Sequence, residues 1–81
     1  MTPAQCRAAR ALLDITQSQL ARAAKLGLST VVDFEKERRL VSEGAVKAIQ
    51  TALQRAGIEF MGEVGEGLLL RKRQKRTRPF L

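Results

Sequence analysis

Residues 16–35 read TQSQLARAAKLGLSTVVDFE, and no other stretch limits the possible folds of this chain so closely. Thr16 is followed three residues later by Gln19, the spacing at which each side chain reaches the other's backbone N–H at a helix start. Leu20, Ala21 and Ala24 then share one helical face, with Ala23 beside them. Lys25-Leu26-Gly27 interrupts the period, and Gly27 is the residue expected to supply the backbone freedom of a tight turn. A second helix is expected over residues 28–36, with Val31 and Phe34 facing inward.

The flanking segments read as further helices. Thr2 and Pro3 suit an N-cap and a first helical position, and Cys6, Ala9 or Arg10, and Leu13 continue the apolar spacing to about Asp14. Ile15 is placed to pack on Leu20 as a hydrophobic staple. Ser42 caps a fourth helix over residues 43–56, with Val46, Ile49, Leu53 and Ala56 as its apolar stripe and Ala45 and Ala52 beside it. Glu43 and Arg55 complement its dipole, and Gly57 is placed to end it. From Ile58 the period changes: Ile58 and Phe60 alternate with Glu59, Gly62, Gly65 and Gly67 punctuate a loop, and Leu68, Leu69 and Leu70 form a second apolar run. Two arrangements fit: a hairpin pairing residues 58–61 with 68–71, or one strand pairing with its copy in a second subunit. We expect this segment to mediate dimerisation through Ile58, Phe60, Leu68 and Leu70. The glycines lack the spacing and the following Lys-Ser/Thr of a phosphate loop.

The expected fold is thus mainly α: a compact four-helix domain (residues 1–57), a short C-terminal β strand or hairpin (58–71), and a disordered basic tail (72–81). The net charge of +7 must be located before it is interpreted. Arg71, Lys72, Arg73, Lys75, Arg76 and Arg78 place six cations within eight residues, whereas residues 1–70 carry only +1. Such tails contact nucleic acid or anionic surfaces. The chain has one Cys and no His, which argues against a disulfide framework within it and against a zinc site, and no cofactor is expected. Cys6 reads as a core thiol. No catalytic constellation is visible, and no signal peptide or membrane-spanning run, so a cytoplasmic protein without enzymatic activity is expected.

A helix, a short turn containing Gly and a second helix form the helix-turn-helix motif. On Arg10, the run from Thr16 to Ala21, Ala24, Ser29-Thr30-Val31 and Phe34-Glu35, the chain resembles the Xre/Cro (phage-repressor-like) helix-turn-helix domain over residues 3–58. The resemblance implies that Arg10 pairs with Glu35, tying the first helix to the third. It also implies that Gln17 touches a DNA phosphate and that the third helix lies in the major groove. The chain departs from the family in having Lys25 where Gly is usual, Gly27 where a capping Ser is usual, and Leu28 where a polar reader is frequent.

The expected function is sequence-specific transcriptional regulation by a dimer on double-stranded DNA, with half-sites about 34 Å apart. The DNA-facing set is Gln17, Leu28, Ser29, Thr30, Asp33, Lys36, Arg38 and Arg39. Ser29 and Thr30 suit base edges or phosphates, Leu28 suits a thymine methyl, and Asp33 has only a cytosine amine to accept from. Lys36, Arg38 and Arg39 suit phosphates, as do Arg71, Lys72, Arg73, Lys75 and Arg76 in the tail. Two other readings compete: a protein-binding regulator, antiactivator or antitoxin-like, that keeps the fold, and a general nucleic-acid binder acting through the tail.

Overall fold

The computed structural model describes residues 1–64 and 67–72, with side chains through Phe60. Four helices, α1 (Pro3–Leu13), α2 (Gln17–Ala24), α3 (Leu28–Glu35) and α4 (Glu43–Arg55), are followed by two strands, β1 (Ile58–Val64) and β2 (Gly67–Lys72). The mainly helical architecture matches the expectation.

Three of the four helices start at a side-chain cap that the sequence places there. The Thr16 hydroxyl accepts from the Gln19 N–H at 3.0 Å while the Gln19 side chain accepts from the Thr16 N–H at 2.9 Å. The same reciprocal pair joins Thr2 and Gln5 at 3.1 and 2.8 Å. Ser42 caps α4 through the Ala45 N–H at 3.2 Å. Such caps satisfy donors that a helix N-terminus otherwise leaves unpaired. At α3 the cap position is Gly27, which offers no side-chain acceptor.

The helix ends depart from the sequence reading. Gly27 has φ −72, open to any residue; the left-handed residue of the interhelical turn is Lys25, at φ 61. Asp14 (φ 59) and Glu37 (φ 55) are left-handed too, so three helices end on this conformation without glycine. In all three the two closing bonds of a Schellman turn are present: Asp14 N–H to Ala11 and Ile15 N–H to Arg10; Lys25 to Arg22 and Leu26 to Ala21; Glu37 to Phe34 and Arg38 to Asp33. After the first two turns the chain places Ile15 and Leu26, and both pack on the core. After the third it places Arg38, which is exposed. Only α4 is followed by a glycine in this region, Gly57 at φ 114.

The core is Cys6 and Ala9 from α1, Leu20 and Ala21 from α2, Val31 from α3, Ile49, Ala52 and Leu53 from α4, and Ile58 from β1. Leu13, Ile15, Phe34 and Phe60 pack against it. On α4 the buried stripe is Ile49, Ala52 and Leu53; Val46 is half-buried and Ala56 exposed, so the helix is rotated slightly from the expected face.

β1 and β2 pair antiparallel within the chain, with Ile58 opposite Lys72 and Phe60 opposite Leu70. The hairpin alternative therefore holds over a lone strand. The register shifts between Met61 and Glu63, leaving Gly62 as a bulge. Lys72 closes β2 instead of opening a disordered tail. Residues 73–81, with Arg73, Lys75, Arg76 and Arg78, lie outside the described residues. Ile58, assigned to a subunit interface from its alternation, is 1% exposed and belongs to the chain's own core. An alternating strand buries one face, and here that face is against the helices.

Because a non-glycine residue in the left-handed region costs about 1–2 kcal/mol, Lys25→Gly is expected to stabilise the domain by about 1 kcal/mol. In a domain of this size that raises the melting temperature by about 4–8 °C in a calorimetric scan.

Candidate nucleic-acid interface

The site is built around one carboxylate. Glu35, the last residue of α3, is 1% exposed, and a buried charge persists only where it is paired and hydrogen-bonded. Arg10 from α1 meets it with two parallel bonds, Nε to Oε2 at 2.7 Å and Nη2 to Oε1 at 2.8 Å. This is the bidentate arrangement that planar guanidinium favours. The Gln17 amide from α2 donates Nε2 to Oε1 at 2.9 Å, and the Cys6 thiol donates to Oε2 at 3.1 Å. Arg7 donates through Nη1 to the Glu35 backbone carbonyl, and Arg10 also donates through Nη1 to the Ile15 carbonyl at 3.2 Å.

The titration of these groups follows from that geometry. Burial pushes the Glu35 carboxyl up, but the hydrogen bonds from Arg10, Cys6 and Gln17 and the Arg10 charge outweigh it, so its pKa lies below the usual carboxylate value. Burial, together with the hydrogen bond and charge of Glu35, pushes the Cys6 thiol far up and keeps it protonated. The hydrogen bond to Glu35 raises Arg10 despite partial burial. Cys6 is thus an inert donor within the pair, with none of the thiolate character that makes a cysteine reactive.

The Arg10–Glu35 pair implied by the resemblance is present. The sequence reading missed the three other participants. Their signal was positional: Cys6 and Arg7 lie four and three residues before Arg10, so they border one side of α1. For Gln17 the geometry adds a role. One amide N–H is held by Glu35 in this structure, and its second N–H has no partner among the described residues.

With Val31 and Glu35 committed to the core, α3 turns its other face outward. Leu28, Ser29 and Lys36 are exposed, Thr30 and Asp33 are half-buried, and Arg38 and Arg39 are exposed in the following loop. Asp33 does not face solvent unpaired: Arg39 donates Nε to its Oδ2 at 2.8 Å. Leu28 is 47% and Leu40 is 95% exposed. Of the candidate contacts, the structure brings Arg39 onto Asp33 and Gln17 onto the buried Glu35; Leu28, Ser29, Lys36 and Arg38 are exposed, with no side-chain bond to one another among the described residues. No group of residues able to hold a metal ion occurs among the described residues, and none of their helices is long and apolar enough to cross a membrane.

A family model described as helix-turn-helix matches residues 7–60, from α1 through the start of β1. None of the curated proteins compared matches the chain.

Two outcomes follow from the buried pair. Removing one partner of such a pair costs about 3–5 kcal/mol, and since Arg10 keeps 21% of its side chain exposed, Arg10→Met is expected to destabilise at the low end, about 3 kcal/mol, in urea titrations. A carboxylate whose pKa is lowered by folding stabilises fully above its unfolded value, near 4.5, and that contribution is lost as pH falls through the folded value. Wild-type stability should therefore decline below about pH 4.5, and Glu35→Gln should be less stable at neutral pH with a flatter acid limb.

Proposed function

We propose, on the premise that this chain belongs to the Xre/Cro-like helix-turn-helix family, that it is a sequence-specific transcriptional regulator placing α3 in the major groove of duplex DNA. The family is one of DNA-binding regulatory domains and not of enzymes. The observation that carries the proposal is the division of α3: its inner face is fixed by Val31 and the fully paired Glu35, its outer face is left to Ser29, Thr30 and Asp33, and Leu28 is exposed at its N-terminus. A helix held rigidly on one side and polar on the other suits the major groove, where each base pair offers a distinct edge. Ser29 and Thr30 take base edges, Leu28 a thymine methyl, and Lys36 and Arg38 flanking phosphates, with the free N–H of Gln17 on another phosphate. Arg71, Lys72, Arg73, Lys75 and Arg76 add affinity that falls with salt and carries no base preference.

The regulator acts as a dimer. β1 and β2 pair only with each other among the described residues, so the hairpin keeps outer edges able to extend the sheet into a second copy. Of the contacts expected there, Leu68 and Leu70 remain assigned; Ile58, which is buried, and Phe60, which packs on the chain's own core, do not.

A second reading rests on Leu28 and Leu40, two exposed large apolar residues. Apolar exposure of this kind also marks contacts with other proteins, as in a regulator of antiactivator or antitoxin type.

The test is selection of binding sites from a random duplex library, followed by anisotropy titration at about 150 mM salt. The expected result is an inverted repeat with half-sites about 10 base pairs apart, bound about 10³-fold or more over scrambled DNA. Ser29→Ala and Thr30→Ala should relax preference by about 1–3 kcal/mol at individual positions. Equal, weak binding to all sequences, with a protein partner lost only on Leu28→Ala, would support the second reading instead. Deleting residues 73–81 should weaken binding to every sequence and flatten its salt dependence while leaving base preference intact.

A further inference from the structure

Asp33 is the one acidic side chain on the outer face of α3, where a phosphate-rich ligand repels it. It lies four residues after Ser29 and three after Thr30, on the stripe assigned to base contact. Its partner explains its presence there. Arg39 approaches from the loop after α3 and uses only Nε on Asp33 Oδ2, at 2.8 Å. Among the described residues Nη1 and Nη2 of Arg39 make no hydrogen bond, and 52% of this side chain is exposed, against 20% for Asp33. The guanidinium is therefore gripped at its inner edge and open at its outer edge, the edge that presents paired donors to a phosphate.

The backbone between the two residues is also fixed. The Arg38 N–H bonds to the Asp33 carbonyl at 2.9 Å across the left-handed Glu37. This turn lacks the apolar residue that follows the turns after α1 and α2, and the Asp33–Arg39 bond closes it instead.

We infer that Asp33 is a positioning residue, which holds Arg39 with its free edge toward a DNA backbone phosphate beside the groove that α3 occupies. The inference rests on the DNA-binding reading above and assigns Asp33 a role other than base recognition. Its net effect on binding is favourable although its charge is not, because an ordered guanidinium loses less conformational freedom on meeting the phosphate.

The sign of one substitution decides between the roles. Wild type, Asp33→Ala, Asp33→Asn, Arg39→Ala and the Asp33→Ala/Arg39→Ala double variant are titrated against the selected duplex and its single-base variants from 50 to 200 mM salt, with melting curves recorded for each protein. Asp33→Ala should weaken binding, by about threefold on the scale of an exposed ion pair, and equally for every duplex. Arg39→Ala should weaken it and lower the salt slope by about 0.9, one phosphate contact. Asp33→Asn, which keeps an acceptor for Nε, should recover part of the loss. In the Arg39→Ala background, Asp33→Ala should cause no further loss. Unchanged or tighter binding by Asp33→Ala would overturn the inference, because Asp33 would then only repel. So would a loss confined to one base pair, which makes Asp33 a reader of a cytosine amine, or an equal loss in the Arg39→Ala background. Failure of the wild type to bind any duplex would overturn the DNA-binding reading and the inference together.

Discussion

The Glu35 carboxylate holds this fold in one arrangement. A charge that deep in an 81-residue domain is tolerated only with its lone pairs occupied, and the occupants come from separate elements: Arg10 and Cys6 from α1, Gln17 from α2. Apolar burial alone does not fix the rotation of short helices, because Ala and Leu pack in several rotations with similar area. The carboxylate does, since its bonds are directional. It sets which face of α3 is inside, and hence which residues are left outside to meet a ligand.

The two ion pairs found among the described residues perform unlike tasks on one helix. The inner pair is bidentate and nearly dry, and it orients α3 against the body. The outer one is a single bond in partial contact with solvent, and it orients the loop against α3. Successive levels of the interface are thus set by electrostatics of decreasing strength, from the core outward to Arg39.

Much of this was legible from residue order. The Thr16–Gln19 cap, the Ser42 cap and the inward Val31 follow from spacing that local chemistry enforces within one helical turn. What escaped the reading lies where spacing carries no information. Left-handed geometry at Asp14, Lys25 and Glu37 is imposed by the chain's return path, not by those side chains, so Gly27 drew attention that belonged to Lys25. The Asp33–Arg39 bond crosses a turn whose course no period encodes. The alternation around Ile58 identifies a strand without saying what its apolar face meets. Gln17 and Cys6 were read one at a time, whereas their shared partner sits in another element.

The burial of Ile58 directly after Gly57 leaves no linker between α4 and the hairpin. The backbone passes from helix through a single left-handed glycine into a core-anchored strand. A segment that dangles from a domain must lose its freedom when it meets a partner, and that loss opposes association. Here the ordering has been completed during folding, at the expense of the folding equilibrium and not of the binding one. Whatever meets the outer edge of this hairpin encounters a surface already at a set angle to α3.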